Sequence, residues 1–202
     1  MQSFVVVSGP AAAMPAANVD TDVIMPKQYL KGVDRSGLVE GVFRPLRFDE
    51  AGRERPDFVL NQTPWRKAAF LVVGPNFGCG SSREHAVWGL LQLGVRGLIG
   101  VSFAGIFFDN CSNNGLLAVT VSLDEHARLM ALAADPATCG FTIDLLAQTV
   151  TAGDGFEADF EVDAMRKHGL LEGLDAVGRT LEVREDILAF ETVHHAESPW
   201  LV

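Results

Sequence analysis

The stretch that most constrains the fold is an apolar strand followed by a glycine-rich turn and then a helix. Phe70–Val73 has the composition of a buried strand, Gly78 and Gly80 lie in the turn, and a helix is predicted over Glu84–Leu93. A helix that begins after such a turn directs its free backbone N–H groups at whatever lies over the turn. The stretch therefore predicts an α/β architecture with an anion site at this turn.

The chain continues with the same alternation of strand and helix. Strands are predicted at 97–101 and 116–121, with a short helix at 103–110 between them. Ser122 and Glu125 have the S-x-x-E spacing of a capping box, which predicts the start of a further helix. This alternation is typical of βαβ units with a parallel core sheet.

The regions before and after this part have other patterns. A short strand is predicted at Phe4–Val7 and a loop at 11–17, where small residues dominate. Residues 27–60 contain many glycines and prolines, which predicts a long irregular segment of the kind that often carries function.

The last third of the chain predicts hairpins followed by helices. Short strands between 141 and 162 alternate in polarity, and Asp163 has the side chain of an N-cap for the helix that follows. A final amphipathic helix is predicted over 183–193. Its apolar stripe consists of Ile187, Phe190 and Val193.

Length and composition predict one globular domain over residues 1–202. With 16 basic and 26 acidic side chains the net charge is −10, whereas a nucleic-acid binder needs a basic face, so no nucleic acid is expected. No apolar run reaches the ~18–20 residues that span a bilayer, and the first residues lack the basic region of a secretory signal. We therefore expect a cytoplasmic protein without membrane contact.

The cysteines do not form a pattern that would hold a metal or a disulfide framework. Cys79, Cys111 and Cys139 are an odd number at long spacings, without a C-x-x-C pair. The sequence thus predicts no disulfide, no structural zinc and no iron–sulfur cluster ligated by this chain.

Three kinds of chemistry could use the turn at 75–86. Nucleotide binding is disfavoured, because Arg83 stands where a dinucleotide-binding motif has its third glycine. A thiol enzyme with Cys79 and His85 is conceivable, but nothing in the sequence shows that the two side chains face each other. The third is a carboxylate site, in which Arg83 binds the substrate and favours a serine alkoxide that transfers a proton.

A structural interpretation competes with the carboxylate site. Ser81 and Glu84 also have capping-box spacing, so Ser81 could instead stabilise the helix by about 1 kcal/mol. Spacing alone does not decide between a cap and a catalytic serine. The freedom given by the glycines on both sides of Cys79 favours function, because a cap does not require it.

Other polar residues are candidates for the same site. Residues 18–26, N-V-D-T-D-V-I-M-P, predict a turn that either bonds its own side chains or brings Thr21 and Asp22 to a site. In the irregular segment, each candidate is either a surface residue or a substrate contact. These candidates are Tyr29, Arg35, Arg44 and Arg47.

The string N-F-G-C-G-S-S-R-E-H-A, residues 76–86, resembles the serine loop of 3-isopropylmalate dehydratase small subunits in the aconitase superfamily. Nearly the whole chain is similar to that family. Three other stretches also match. They are residues 18–30, then S-F-A at 102–104 and I-F at 106–107 with Gly115-Leu116-Leu117, and lastly Arg166-Lys167-His168 with residues 173–181.

The resemblance implies a swivelling β/β/α three-layer domain with a mostly parallel core sheet and a C-terminal helical segment. It also implies a hydro-lyase of leucine biosynthesis that interconverts 2-isopropylmalate and 3-isopropylmalate through 2-isopropylmaleate. Activity would require an aconitase-type large subunit, which carries the [4Fe–4S] cluster.

The resemblance assigns roles by position in the motif. Ser81 corresponds to the base that takes the carbon-bound proton, Arg83 stabilises its alkoxide, and Cys79 is a shape residue. No metal ligand is expected in this chain. The expected contacts of the dicarboxylate substrate are Gly80, Ser82, Arg83, Thr21, Asp22, Lys27, Tyr29, Arg35 and Arg47.

Two positions depart from the family pattern, and the substrate stays open. Gly105 and Ala118 stand where an aspartate and a proline are usual. Relatives with the same serine loop hydrate citraconate, maleate or dimethylmaleate, and residues 27–48 would line the part of the site that distinguishes them. A binding module without activity is a third interpretation, which the complete Ser81-Ser82-Arg83 set disfavours.

Overall fold

The computed structural model describes residues 1–30 and 35–201, and within them one seven-stranded sheet forms the centre. Its strand order is β4-β3-β2-β1-β5-β6-β7. The strands are β1 (Val6–Met14), β2 (Phe70–Val73), β3 (Gly97–Gly100), β4 (Leu117–Thr120), β5 (Gly140–Asp144), β6 (Thr149–Thr151) and β7 (Glu157–Asp159).

Helices connect and flank these strands. The α-helices are α1 (Thr21–Ile24), α2 (Arg44–Arg47), α3 (Glu84–Leu93), α4 (Gly105–Asn114), α5 (Leu123–Ala134), α6 (Ala164–Glu172), α7 (Ala176–Leu181) and α8 (Arg184–Glu197). Short 3-10 turns lie at Lys27–Tyr29, Leu38–Glu40, Val59–Asn61, Trp65–Lys67 and Pro199–Leu201.

The sheet is mixed, with a parallel half and an antiparallel half. The pairs β1–β2, β2–β3 and β3–β4 are parallel, whereas β1–β5, β5–β6 and β6–β7 are antiparallel. This difference follows from the connections, because α3 and α4 carry the chain back between parallel strands while short turns join β5, β6 and β7. The predicted α/β fold with C-terminal helices is confirmed, and its parallel core is the β1–β4 half.

Both faces of the sheet are covered. Leu71 and Val73 point into a cluster that α3 and α4 complete, and Phe70 and Val72 point into a second cluster on the other face, which includes residues of α5 and β5. Alternation along a strand places neighbouring side chains on opposite faces, so a continuous apolar strand needs two layers over it.

The predicted loop at 11–17 is wrong in its first half. β1 continues to Met14, and Ala11 and Ala12 pair with Phe70 and Leu71 of β2. Both alanines are fully buried. The sequence suggested a loop because small residues have low strand propensity, but β1 is a central strand whose backbone pairs with both β2 and β5.

The N-terminal caps of two helices follow the sequence prediction. The Ser122 hydroxyl accepts the N–H of Glu125, and the Glu125 carboxylate accepts the N–H of Ser122, which completes the capping box of α5. Asp163 accepts the N–H of Arg166 at 3.1 Å and caps α6. These caps depend on neighbours in sequence, which is why the pattern predicted them.

The last helix is present but does not bury the predicted stripe. α8 has no buried residue, and the side chains of Phe190 and Val193 are 66% and 59% exposed. Amphipathic spacing predicts which side of a helix is apolar, and tertiary structure decides whether that side is covered by the same chain.

Gly78 fixes the packing of the glycine-rich turn on α4. Its φ is +78°, and a Cβ at this position would lie 2.1 Å from the ring of Phe107. Gly105 also borders the turn, but a Cβ there meets nothing within 4 Å. The aspartate that is usual at position 105 would therefore fit without changing the loop.

We predict that Gly78→Ala lowers the free energy of unfolding by at least about 2 kcal/mol, from its left-handed φ and the contact with Phe107. Gly105→Ala is the matched control and should raise it by up to about 1 kcal/mol. Urea denaturation of the two variants measures both changes. Equal stability of the two variants would contradict the close approach of Gly78 to Phe107.

Candidate functional site

The candidate site lies where three parallel strands end side by side. The loops that follow β1, β2 and β3 are joined by backbone hydrogen bonds. The N–H of Gly78 donates to the carbonyl of Val19 at 2.8 Å, and that of Ala104 donates to Phe77 at 3.1 Å. Clefts outside the carboxyl ends of parallel strands are the usual place for ligands in α/β folds.

Thr21, the first residue of α1, holds the serine loop by two hydrogen bonds. The backbone N–H of Thr21 donates to the carbonyl of Cys79 at 2.9 Å, and its hydroxyl donates to the carbonyl of Ser81 at 2.8 Å. Thr21 is almost fully buried. Gly80, between these two anchored carbonyls, has φ +88°, a conformation that favours glycine.

The Ser81 side chain does not cap α3. The N-cap of α3 is Arg83, which makes no side-chain cap bond, and the Glu84 carboxylate accepts from Asn114 at 2.7 Å. Among the described residues, no side chain or backbone group bonds the Ser81 hydroxyl, and Ser81 is exposed. The structure thus leaves this hydroxyl free to face the cleft.

Arg83 forms an ion pair with Asp22. Its Nη1 donates to the Asp22 Oδ1, and the Arg83 side chain is only 18% exposed. This hydrogen bond lowers the pKa of the Asp22 carboxyl from its ordinary value, with smaller contributions from the charges of Arg83 and Lys27. The pair holds the guanidinium beside the serine loop.

Two helix N-termini meet at the cleft. The cleft encloses about 140 Å³ between the serine loop and the first turn of α4. Neither α3 nor α4 has a side-chain cap, so the first N–H group of each helix is not occupied by the side chain of its N-cap residue. Together with Arg83 they provide positive potential for an anion with more than one carboxylate. The cleft is lined by Thr21, Gly78, Gly80, Ser81, Ser82, Arg83, Ala104, Gly105, Ile106 and Phe107.

Half of the predicted site residues meet here. Thr21, Gly80, Ser81, Ser82 and Arg83 line the cleft. Asp22 is connected to it through its ion pair with Arg83.

The structure does not bring the other predicted contacts to the cleft. Arg47 is 9% exposed, its Nη1 donates to the carbonyl of Val39 at 2.9 Å, and burial lowers its pKa. Arg35 lies over the ring of Trp88, and Lys27 is exposed in a 3-10 turn. Tyr29 packs against Gly41. Residues 31–34 of the predicted specificity segment lie outside the described residues.

Sequence reasoning missed the wall that α4 contributes. Gly105, Ile106 and Phe107 line the cleft, and Ile106 is 59% exposed there. The available signal was topological, because residues that follow β3 must lie beside those that follow β2 when the strands are parallel neighbours. The resemblance identified these residues as a matching stretch but gave them no role.

No hydrogen bond among the described residues joins Cys79 to His85, the two residues of the thiol hypothesis. The His85 ring instead packs against Trp88 in a tilted arrangement, with ring centroids 4.6 Å apart. Cys111 and Cys139 are buried, and burial raises the pKa of both thiols. Within residues 1–30 and 35–201, no group of three or more His, Cys, Asp or Glu side chains could hold a metal ion. The described residues therefore do not offer the ligand set of an iron–sulfur cluster.

The fold and the cleft define a class of protein. A family model described as "Aconitase C-terminal domain" matches residues 1–124, and a LeuD_N model matches residues 127–164. The chain is an aconitase-type domain that carries its serine loop at the carboxyl edge of a parallel half-sheet.

Comparisons over the full length narrow the class to a family. The chain is 55% identical to a 3-isopropylmalate dehydratase small subunit 1 of Mannheimia succiniciproducens, covering 100% of this chain and 99% of that protein. It is 50% identical to the 3-isopropylmalate dehydratase small subunit of Xanthobacter autotrophicus, with 100% of both chains covered. The chain belongs to the family of 3-isopropylmalate dehydratase small subunits.

A solved structure supports the same assignment. The 3-isopropylmalate dehydratase of Methanocaldococcus jannaschii superposes with a TM-score of 0.68 at 26% identity, covering 93% of this chain and 99% of that chain.

No helix among the described residues is long and apolar enough to cross a membrane.

We predict that Arg83→Gln raises the pKa of Asp22 towards its ordinary value, because the substitution removes the guanidinium that stabilises the carboxylate. Carbon-13 NMR titration of the Asp22 carboxyl measures this shift. The pair stabilises the folded state at neutral pH, and this contribution is lost as the pH falls through the depressed pKa of Asp22. An unchanged Asp22 titration in Arg83→Gln would refute the pairing.

Proposed function

We propose that this chain is the small subunit of a 3-isopropylmalate dehydratase. With its large subunit it would interconvert 2-isopropylmalate and 3-isopropylmalate through 2-isopropylmaleate, in leucine biosynthesis. The observation that carries the proposal is the Ser81 hydroxyl, which no described residue bonds, in a cleft beside Arg83 and two helix N-termini without side-chain caps. The family to which the chain belongs supports the identity of the substrate.

Substrate binding is assigned to the positive groups of the cleft. Arg83 offers a fork of donors that matches a carboxylate, and the first N–H groups of α4 lie on the opposite wall. Ser82 adds a hydroxyl next to Arg83. These local groups would hold a dicarboxylate in spite of the net charge of −10.

Proton transfer at carbon is assigned to Ser81. A serine hydroxyl is a very weak acid, so its alkoxide needs positive charge close by. Arg83 and the N-terminus of α3, which both adjoin Ser81, provide that charge. In the dehydration direction the Ser81 oxygen would take the proton from the substrate carbon, and in hydration it would return the proton.

The other half of the site is assigned to a partner. We propose an aconitase-type large subunit that holds the [4Fe–4S] cluster, since no group of donors among the described residues could hold a metal. The cluster would supply the Lewis acid for the departing hydroxyl group. The exposed serine loop would then have to face that subunit across the cleft.

We expect Ser81→Ala in the reconstituted two-subunit enzyme to lower kcat by roughly 10²–10⁴, the usual contribution of a proton-transfer group. Formation of 2-isopropylmaleate is followed by its absorbance. Ser122→Ala is the matched control: it removes a serine that only caps α5 and should leave kcat within about twofold. Full activity of Ser81→Ala would exclude Ser81 as the base.

A second prediction concerns the subunit and the substrate. The isolated chain should not dehydrate 3-isopropylmalate, because it lacks the group that activates the hydroxyl. Turnover by the isolated chain would overturn the two-subunit proposal.

The reconstituted enzyme should hydrate 2-isopropylmaleate with a higher kcat/KM than citraconate or maleate. A preference for citraconate or maleate would assign the chain to a related hydratase.

A further inference from the structure

The C-terminal segment, residues 176–201, exposes an unusual amount of apolar surface. Phe190 is 66% exposed and Trp200 is 76% exposed. Further exposed apolar side chains of the segment are Val177, Leu181, Val183, Leu188, Val193 and Leu201. A concentration of exposed apolar side chains in one segment is a candidate interaction site.

The helix that carries most of this surface has little support from its own chain. Among the described residues, α8 has no buried side chain, and its main contacts are with the short turn Pro199–Leu201. A helix of 14 residues is marginal in water without tertiary packing. A partner that covers its apolar side would provide the missing burial.

The first helix of the segment, α7, adjoins α4, the helix that begins at the cleft. α4 begins at the cleft, where Ile106 is exposed, and its last turn lines a groove of about 410 Å³ between α4, α6 and α7. Arg179 of α7 bonds Asn113 of α4, and Met165 of α6 lines the same groove. From Ile106 to Asn113 the helix rises only about 10 Å.

A subunit that covers the cleft can therefore reach the C-terminal segment. A standard interface buries ~800 Å² on each partner, which extends well beyond 10 Å from its centre. The aconitase-type model matches residues 1–124 and the second model ends at 164, so the segment lies beyond both. Relatives named as small subunits nevertheless match over their full length, including this segment.

We propose that the apolar side of residues 176–201 binds the large subunit, in continuation of the cleft face. The inference rests on the proposed function, because that function requires a large subunit over the serine loop. The complementary surface should be apolar with a basic rim, since acidic side chains flank the apolar residues. These are Glu185, Asp186, Glu191 and Glu197.

The test titrates the purified large subunit, with its cluster, with increasing amounts of this chain and follows activity. The double variant Phe190→Asp/Val193→Asp should raise the concentration for half-maximal activity at least tenfold and leave the maximal rate within about twofold. The control, Leu146→Asp, changes an equally exposed leucine in the turn between β5 and β6 and should leave the titration unchanged. Circular dichroism and the melting temperature verify that both variants fold.

The outcomes separate this inference from the proposed function. If wild-type chain restores activity and the double variant titrates identically, the C-terminal docking surface is wrong and the proposed function stands. If the isolated wild-type chain is a dimer by light scattering, and the double variant is a monomer with a normal titration, the segment binds a second copy and the inference is overturned. If the wild-type chain binds the large subunit but restores no activity, the proposed function fails. The docking surface is then tested by light scattering of mixtures with the large subunit, in which the wild-type chain should form a complex and the double variant should not.

Discussion

The site depends on how three neighbouring loops are tied together at the carboxyl edge of the parallel half-sheet. Thr21 holds the carbonyls of Cys79 and Ser81, and the N–H of Gly78 bonds Val19. These contacts join residues about 60 positions apart in sequence. Because they use backbone carbonyls of the serine loop, the loop keeps its shape and the Ser81 and Ser82 side chains stay free to face the cleft.

The positive potential at this edge comes from nearby groups and not from the net charge of the chain. The chain is strongly acidic, yet the cleft combines Arg83 with two helix N-termini whose first N–H groups have no side-chain cap. Backbone dipoles fall off within about one turn, so such a site does not disturb the rest of the surface. Asp22 balances Arg83 when no anion is present, and this pairing keeps the guanidinium in place.

The surface of the chain is consistent with half of a larger site. The serine loop is exposed, Ile106 is exposed on the opposite wall, and the C-terminal helix has an uncovered apolar side. An uncovered apolar helix side is the kind of surface that marks an interaction site. The large subunit proposed above would cover the serine loop and, by the docking inference, the apolar side of α8.

The sequence by itself determined the features that depend on nearby residues. It predicted the strand, turn and helix around the serine loop, the caps at Ser122 and Asp163, and the serine–arginine set, because each is encoded within a few positions. Tertiary structure decided the rest. β1 runs through Ala11 and Ala12 because it is a central strand, and Ser81 is not a cap because Arg83 takes that position. Arg47 is bound to the carbonyl of Val39, which does not line the cleft. Ile106 reaches the cleft only because β3 is the neighbour of β2, and strand order is a property of long-range pairing that local pattern does not contain.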